Sequence, residues 1–375
     1  MDLTVISTYR CNSRCSMCHI WKYPTVPHDE VSIETLAKLP DGFDNLNVSG
    51  GEPTLRKDLP EMIDLLVPKA RIVEISSNGL HWERLEPIIK KYPTIKVRFS
   101  LEGFEKTSNK IRGEEDGFST KVFGLRRLRE LGGVDLGFAT VIQDDNAPEF
   151  VELYRYVSDM GFELSTSALH NAFQFHKSDN IPYNRVQLAR HVEQLITEML
   201  RTNNVKTWFR AYLNLGLIRK ILGQDRLIPC TAATDFVFID PWSDVFACNV
   251  RNDLLLGNLS KQSWSEIMNS ALAAKMRSEV ASCSQNCWMV TTARTAMRNS
   301  AVPQLPKLQP LAWVIANKIR VSLGRPVNFP RYIDYENVQI DERTPQRDSY
   351  LGRTVKRLIQ PRSAPHYQQG PFFNR

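Results

Sequence analysis

Three thiols lie within eight residues near the start of the chain, in Cys11-Asn-Ser-Arg-Cys15-Ser-Met-Cys18. Thiolates are soft ligands, suited to zinc and to iron–sulfur clusters. The spacing is too tight for a disulfide framework, and three ligands are one short of a closed metal site. A cubane cluster has four irons, so three cysteines leave one iron open to another ligand. The remaining cysteines, Cys230, Cys248, Cys283 and Cys287, form a second group far downstream, with none in between. Three plus four is the arithmetic of one open and one closed centre. In a reducing compartment such groupings mark metal or catalysis more often than cross-links.

Chemistry of this kind needs a scaffold that delivers loops to one place. From Leu3 to about Ser165, short apolar runs alternate with amphipathic stretches. The runs predict strands over Leu3–Ser7, Asn45–Val48, Ile72–Ser76, Val97–Leu101, Leu136–Ile142 and Glu163–Ser165. Helical spacing predicts helices over Ser32–Leu39, Leu59–Leu66, Trp82–Lys91, Ser119–Leu131 and Pro148–Met160. Such alternation implies an α/β fold with parallel pairing, as a partial barrel or an open doubly wound sheet. Ligands of either sit at the carboxyl ends of the strands, and the cysteine stretch lies just past the first. Just past the second comes Ser49-Gly50-Gly51-Glu52-Pro53. Its glycines let backbone approach a ligand closely, Glu52 can accept from an ammonium group, and Pro53 stiffens the exit.

CxxxCxxC after a first strand, paired with GGEP after a second, resembles the radical S-adenosylmethionine (SAM) superfamily. The resemblance covers about residues 1–215 and implies a partial (β/α)6 TIM-like barrel. It implies that Cys11, Cys15 and Cys18 hold a [4Fe–4S] cluster whose open iron takes the amino and carboxylate groups of SAM. Gly50, Gly51 and Glu52 are then expected to receive the amino group. One electron, from an external donor such as flavodoxin or ferredoxin, cleaves SAM to methionine and a 5′-deoxyadenosyl radical, which abstracts hydrogen from the substrate. Met17 stands where the family usually has an aromatic residue near the adenine; a thioether makes soft contacts with rings. Ser100, ending the fourth strand, is a candidate for the SAM ribose. Arg112 is a candidate for the SAM carboxylate or, equally, a solvated loop arginine. Asn78 and Thr140 are further residues able to face the pocket, while His19 and Trp21 read as loop packing or as cover for the cluster.

Two amphipathic helices, Asn184–Asn203 and Thr207–Leu222, lead out of the barrel. After Cys230 a hairpin is expected, with strands Phe236–Ile239 and Val245–Cys248, and then a helix over about Ser263–Val280 that leads to Cys283 and Cys287. This module, residues 216–300, resembles the twitch form of the SPASM extension, a small C-terminal α+β domain. The resemblance implies that its four cysteines bind one auxiliary [4Fe–4S] cluster. Leu256-Gly257-Asn258-Leu259 running into Trp264-Ser265-Glu266-Ile267 fits the same pattern, with Ser243 at a turn position usually held by Gly. A zinc site with four cysteine ligands is the alternative, although such ligands usually come as two short-spaced pairs.

The net charge of +7 lies entirely in residues 301–375, which hold 12 Lys and Arg against 5 Asp and Glu; residues 1–300 balance at 36 against 36. A balanced body argues against a phosphate-tracking groove, so nucleic acid is not an expected partner. No apolar run is long enough to span a bilayer, and Met1–Arg10 lacks a signal peptide's apolar region, which together predict a cytoplasmic address. The basic tail, residues 301–375, holds 9 of the 21 prolines. Its Pro310–Leu323 stretch, with Lys318, Arg320 and Arg325 towards its end, reads as an amphipathic helix. It fits a membrane surface or a partner, or else an arm on the enzyme's own surface. Gln360–Arg375 is expected to be poorly ordered.

The expected function is that of a radical SAM oxidoreductase or epimerase acting on a carbohydrate or cyclitol. This rests on the single auxiliary centre and on a chain that begins directly with the first barrel strand, leaving no room for a leader-peptide-binding domain. Modification of a ribosomally made peptide, with a separate recognition protein or the basic tail, is the alternative. A zinc-stabilised binding protein that does not turn over SAM is the third. His170, Asn171 and His176, just past the sixth strand, are candidates for proton transfer because histidine titrates near neutrality, or else loop surface.

Overall fold

Every residue of the first strand, Asp2–Ile6, is buried, including the charged Asp2 and polar Thr4. A strand is covered this fully only when both faces and both edges are occupied. The computed structural model, which describes residues 1–299 and 308–338, shows what occupies them.

Six strands, β1 (Asp2–Ile6), β2 (Asn45–Ser49), β3 (Val73–Ser77), β4 (Lys96–Ser100), β5 (Asp135–Ile142) and β6 (Glu163–Ala168), pair in parallel, each with the next. The crossovers are α1 (Ile33–Ala37), α2 (Leu59–Leu66), α3 (Glu86–Lys91), α4 (Glu105–Arg112), α5 (Gly117–Glu130) and α6 (Phe150–Asp159). Leu3, Val5, Leu46, Val48, Ile75, Val97, Phe99 and Phe138 form the centre of one continuous core. This is the α/β fold with parallel pairing expected from the alternating pattern, in the six-stranded form that the resemblance implies.

Two long helices follow, α7 (Arg185–Arg201) and α8 (Val205–Ile221). Each starts on an asparagine whose side chain caps it: Asn184 accepts from Gln187 N at 3.3 Å, and Asn204 from Lys206 N at 2.9 Å. Then come β7 (Phe236–Ile239), β8 (Asp244–Phe246) and β9 (Leu255–Asn258). The expected hairpin is present, but it is not a separate layer. β7 pairs in parallel with β1, Asp2 opposite Phe236 and Val5 opposite Ile239. The sheet therefore runs β6-β5-β4-β3-β2-β1-β7-β8-β9.

The helix expected over Ser263–Val280 is two, α9 (Trp264–Met268) and α10 (Ala271–Ala281). Ser270 makes the break, its hydroxyl accepting from Ala273 N at 3.0 Å and so starting a new helix. Next, α11 (Val290–Asn299) brings Arg294 and Arg298 to Asp2 at 2.8 and 2.7 Å, at the amino-terminal end of β1. Finally α12 (Leu308–Ser322) lies on α7 and α8. Trp313 meets Tyr212 edge-on at 5.6 Å, and Lys318 Nζ donates to the carbonyls of Leu200 and Thr202 at 3.0 and 2.8 Å. The stretch is an arm on the protein's own surface, with Leu311, Ile315, Ile319 and Leu323 exposed along its outer side. Gln360–Arg375 lies outside the described residues. Among the described residues no helix is long and apolar enough to cross a membrane.

Candidate functional site

The carboxyl ends of β1 and β2 run on as a zipper of loops. Ser7 N donates to Ser49 O at 2.8 Å, Gly51 N to Thr8 O at 2.7 Å and Glu52 N to Arg10 O at 2.8 Å. The glycine at 51 is required by this approach, because a Cβ there would lie 2.3 Å from the carbonyl oxygen of Arg10. Behind the zipper a buried Glu30 carboxylate gathers Thr25 Oγ1 at 2.6 Å, Arg10 Nε at 2.9 Å and the hydroxyl of Thr8. The residue before Cys11 is thus held on two sides.

The cysteine loop is tied down from the far side by the end of α4. Arg14 N donates to Arg112 O at 2.9 Å and Ser16 N to Ile111 O at 2.8 Å. Ser13 Oγ reaches Glu114 Oε1 at 2.6 Å, and Asn78 Nδ2 donates to Ser13 Oγ at 2.9 Å and to Asn12 Oδ1 at 2.6 Å. Glu114 also accepts from Arg112 Nε at 3.2 Å and from the fully buried Lys121. Burial, reinforced by Arg112, pushes Lys121 down to about 8.

Cys11, Cys15 and Cys18 sit within electrostatic reach of one another. Burial, with the neighbouring thiols adding to it, pushes Cys11 and Cys18 up to about 12. Three thiols that resist ionisation in dry surroundings give up their protons to solvent when a cation binds and stabilises the thiolates, so the donor set fits a metal cluster.

Beside them opens a cavity of about 210 Å³. Its wall is laid down strand by strand: Gly50 and Gly51 after β2, Ser77 and Asn78 from β3, Ser100 and Glu102 from β4, Thr140 from β5, Ser167 and His170 from β6. Met17, Ile20, Trp21, Arg112, Leu169 and Phe175 also line it. Met17 Sδ takes a contact from Gln143 Nε2 at 3.6 Å. Arg112 is not a solvated loop arginine; its side chain is 7% exposed and its Nη1 donates to Glu102 Oε1 at 3.0 Å. Ser100 Oγ lies 3.4 Å from Ser77 O.

Glu102 is the wall residue that sequence reasoning missed. Its carboxylate accepts from Arg112, from Val141 N at 2.7 Å and from Thr140 Oγ1 at 3.3 Å, linking β4, β5 and α4. Its place two residues past a strand end, beside a glycine, was the available signal.

Glu52, expected to receive an amino group, lies outside the cavity. Its fully buried carboxylate accepts from Thr54 N, Thr54 Oγ1 and Ser77 Oγ at 2.9, 2.7 and 2.9 Å, and from Asn78 N at 2.5 Å. It has become the tie between the glycine loop and β3. His176 is likewise outside, edge-on to Tyr9 at 5.6 Å and tilted over Tyr23 at 4.6 Å, with neither ring nitrogen bonded. Asn171 holds its own loop, accepting from Asn180 N at 2.9 Å. His170 does face the cavity: Nδ1 is 2.9 Å from Ala168 O, while Nε2 is shielded from solvent and without a partner. Burial, helped by Lys220, pulls His170 down to about 4, so near neutrality it is an uncharged imidazole with a bare nitrogen.

The other four cysteines gather between β7, β8 and α11. Cys230 precedes β7, Cys248 follows β8, and Cys283 and Cys287 span the link from α10 to α11. Burial, with Cys287 and Cys230 adding to it, pushes Cys248 up to about 12. Cys248 Sγ accepts from Val250 N at 3.3 Å. The tight turn ahead of β8 is made by Ser243 at φ 69°, the left-handed conformation for which glycine is the usual choice. Trp288 (1% exposed) anchors Cys287 by donating to Leu213 O at 2.8 Å. Its ring fills the space over Gly216, where a Cβ would come within 2.1 Å of it. Among the described residues no three His, Cys, Asp or Glu groups are close enough to share one metal ion.

Comparison with known proteins agrees with both centres. Residues 5–157 match the family model of the Radical SAM superfamily, and residues 230–288 that of an iron–sulfur cluster-binding domain, SPASM. This second match replaces the zinc reading. Fe-coproporphyrin III synthase of Methanosarcina barkeri is 31% identical over 153 residues, 39% of this chain and 38% of that protein. Sporulation killing factor maturation protein SkfB of Bacillus subtilis is 26% identical over 166 residues, 43% of this chain and 40% of that protein. The chain thus spans about two-fifths of the length of these relatives. Among solved structures, anSMEcpe with bound AdoMet and Cp18Cys peptide aligns with a TM-score of 0.56 at 16% identity, covering 89% of this chain and 99% of that one.

Proposed function

We propose, from the premise that the chain belongs to the radical SAM superfamily and carries a SPASM iron–sulfur cluster-binding domain, that its substrate is a peptide. Its cofactors are SAM and two [4Fe–4S] clusters. When bound, they supply a 5′-deoxyadenosyl radical for hydrogen abstraction and a place for the electron left behind.

In this reading residues 1–215 form the radical-generating core, in which Cys11, Cys15 and Cys18 hold the open cluster. Backbone at Gly50 and Gly51 meets the SAM amino group. Ser100, Arg112, Glu102 and Met17 surround the rest of the molecule. Residues 216–300 hold the auxiliary cluster through Cys230, Cys248, Cys283 and Cys287, and α12 of the 301–375 tail braces the helical side. His170 Nε2 takes a proton from the substrate once its hydrogen atom has gone. An external one-electron donor such as flavodoxin or ferredoxin starts the cycle.

The observation that carries the peptide reading is the apolar share of the cavity wall, to which Ile20, Trp21, Leu169 and Phe175 contribute. A carbohydrate brings many hydroxyls that need partners, and beside these four side chains the wall offers few, Ser167, His170 and the Trp21 indole nitrogen. An amino-acid side chain brings apolar surface that this wall can cover. SkfB, by its name, matures a killing factor, and anSMEcpe is solved with a peptide. The test is hydrogen transfer into 5′-deoxyadenosine from short peptides deuterated along their side chains, run beside deuterated sugars. Deuterium arriving from a peptide supports the proposal. Deuterium arriving from a sugar, and from no peptide, overturns it in favour of carbohydrate oxidation or epimerisation.

A further inference from the structure

Two arginines point at the sulfurs of the downstream centre, and none of the roles above uses them. Arg226 Nη1 lies 3.7 Å from Cys287 Sγ and also donates to the Cys287 carbonyl, while its Nε donates to Ile228 O at 3.1 Å. Its guanidinium lies over the Trp288 ring, 5.2 Å from the centroid. The remaining nitrogen, Nη2, is shielded from solvent and has no acceptor among the described residues. A buried guanidinium nitrogen without a partner is costly, and a sulfide-bearing cluster on Cys287 offers the acceptor that the polypeptide does not. Arg251 approaches another ligand, its Nη1 3.8 Å from Cys283 Sγ and its Nε 3.0 Å from Asp253 Oδ1. Lys220, at the end of α8, adds a third positive charge within reach of Cys287.

The amino-terminal centre is surrounded differently. Arg112 and Lys121 act on Cys15, but so do Glu102 and Glu114, and Glu52 acts on Cys11. There the charges offset one another. At the downstream centre the acid beside the arginines, Asp253, is paired to Arg251 on the side away from the sulfur.

We propose that Arg226 and Arg251 are positioning residues of the auxiliary cluster, donating to its ligating sulfurs and raising its reduction potential above that of the amino-terminal cluster. Reduction adds negative charge to the centre, so cationic donors to sulfur favour the reduced state and nearby carboxylates oppose it. An electron left on the substrate then falls towards the downstream centre rather than back. This last step rests on the peptide-oxidation reading above; the assignment of the two arginines does not.

The test is a redox titration of the reconstituted full-length chain, followed by electron paramagnetic resonance, with iron counted in every sample. The Cys11→Ala/Cys15→Ala/Cys18→Ala chain identifies the auxiliary signal. Arg226→Gln and Arg251→Gln are each expected to move that signal's midpoint to more negative potential, and further when combined, with the other signal unmoved. Arg226→Lys, which keeps the charge but loses the planar fork, is expected to fall between. If Arg226→Gln loses iron, Arg251→Gln decides the matter, since Arg251 is half-buried and its side-chain partners among the described residues are Asp253 and Cys283. An unmoved midpoint in Arg251→Gln with full iron overturns the proposal. A moved midpoint with an unchanged ratio of modified product to 5′-deoxyadenosine upholds the two arginines and removes only the electron-accepting role.

Discussion

At the scale of single residues, His176 shows what burial does to a titratable group. Burial, with His19 adding to it, pulls it from 6.5 down to about 4. The folded state therefore holds a neutral ring where the unfolded chain takes up a proton. Because the unfolded state binds more protons, stability falls as pH drops from about 6.5 towards 4, by up to roughly 1.4 kcal/mol per pH unit for such a group. His176→Phe, which keeps a ring between Tyr9 and Tyr23, is expected to flatten that fall. Denaturation midpoints at pH 7 and pH 5 check it: the wild-type chain should lose more than the variant, and equal losses would falsify this account. The seven cysteines and the Gly50-Gly51 pair were legible because their meaning lies in local spacing. Glu52, Glu102 and His176 were not, because what each does depends on partners brought from other strands. A carboxylate next to two glycines reads the same whether it faces a ligand or, as here, takes four hydrogen bonds from Thr54, Ser77 and Asn78.

At the scale of elements, α8 carries more than its periodicity suggests. Its Gly216 is where Trp288 seats, and Trp288 follows Cys287 directly, so the helix sets the position of a cluster ligand. Gly216→Ala is expected to push the indole out, loosen the auxiliary site and remove about half of the bound iron, while a barrel-side assay of SAM cleavage continues. Iron per chain and 5′-deoxyadenosine formation measure the two effects separately; full iron in the variant would count against the seating role. The barrel strands were legible because most carry two or more closely spaced apolar residues between polar loops. α4, α11 and β9 were not: α4 is polar along most of its length, Glu105–Arg112, and β9 has only four residues. The pairing of β7 with β1 had no sequence signal, since parallel partners distant in the chain leave no turn between them to read.

At the scale of the whole molecule, the two cysteine groups belong to one sheet. The centres are nonetheless separable in chemistry. Replacing Cys283 and Cys287 with Ala is expected to take iron from about eight to about four per chain and to leave SAM cleavage running without product. Replacing Cys11, Cys15 and Cys18 is expected to stop cleavage outright. Loss of cleavage in the first variant would mean that the centres cannot be assembled apart. That question meets the double pairing of β1. As the chain is synthesised, β2 can cover one edge of β1 early, but the other edge stays open until Phe236–Ile239 emerge. The hairpin that begins with the covering strand is flanked by Cys230 and Cys248. The cysteine loop past the carboxyl end of β1 is thus complete in the chain while one edge of that strand is still bare, and the strand that covers it opens the module that carries the second centre.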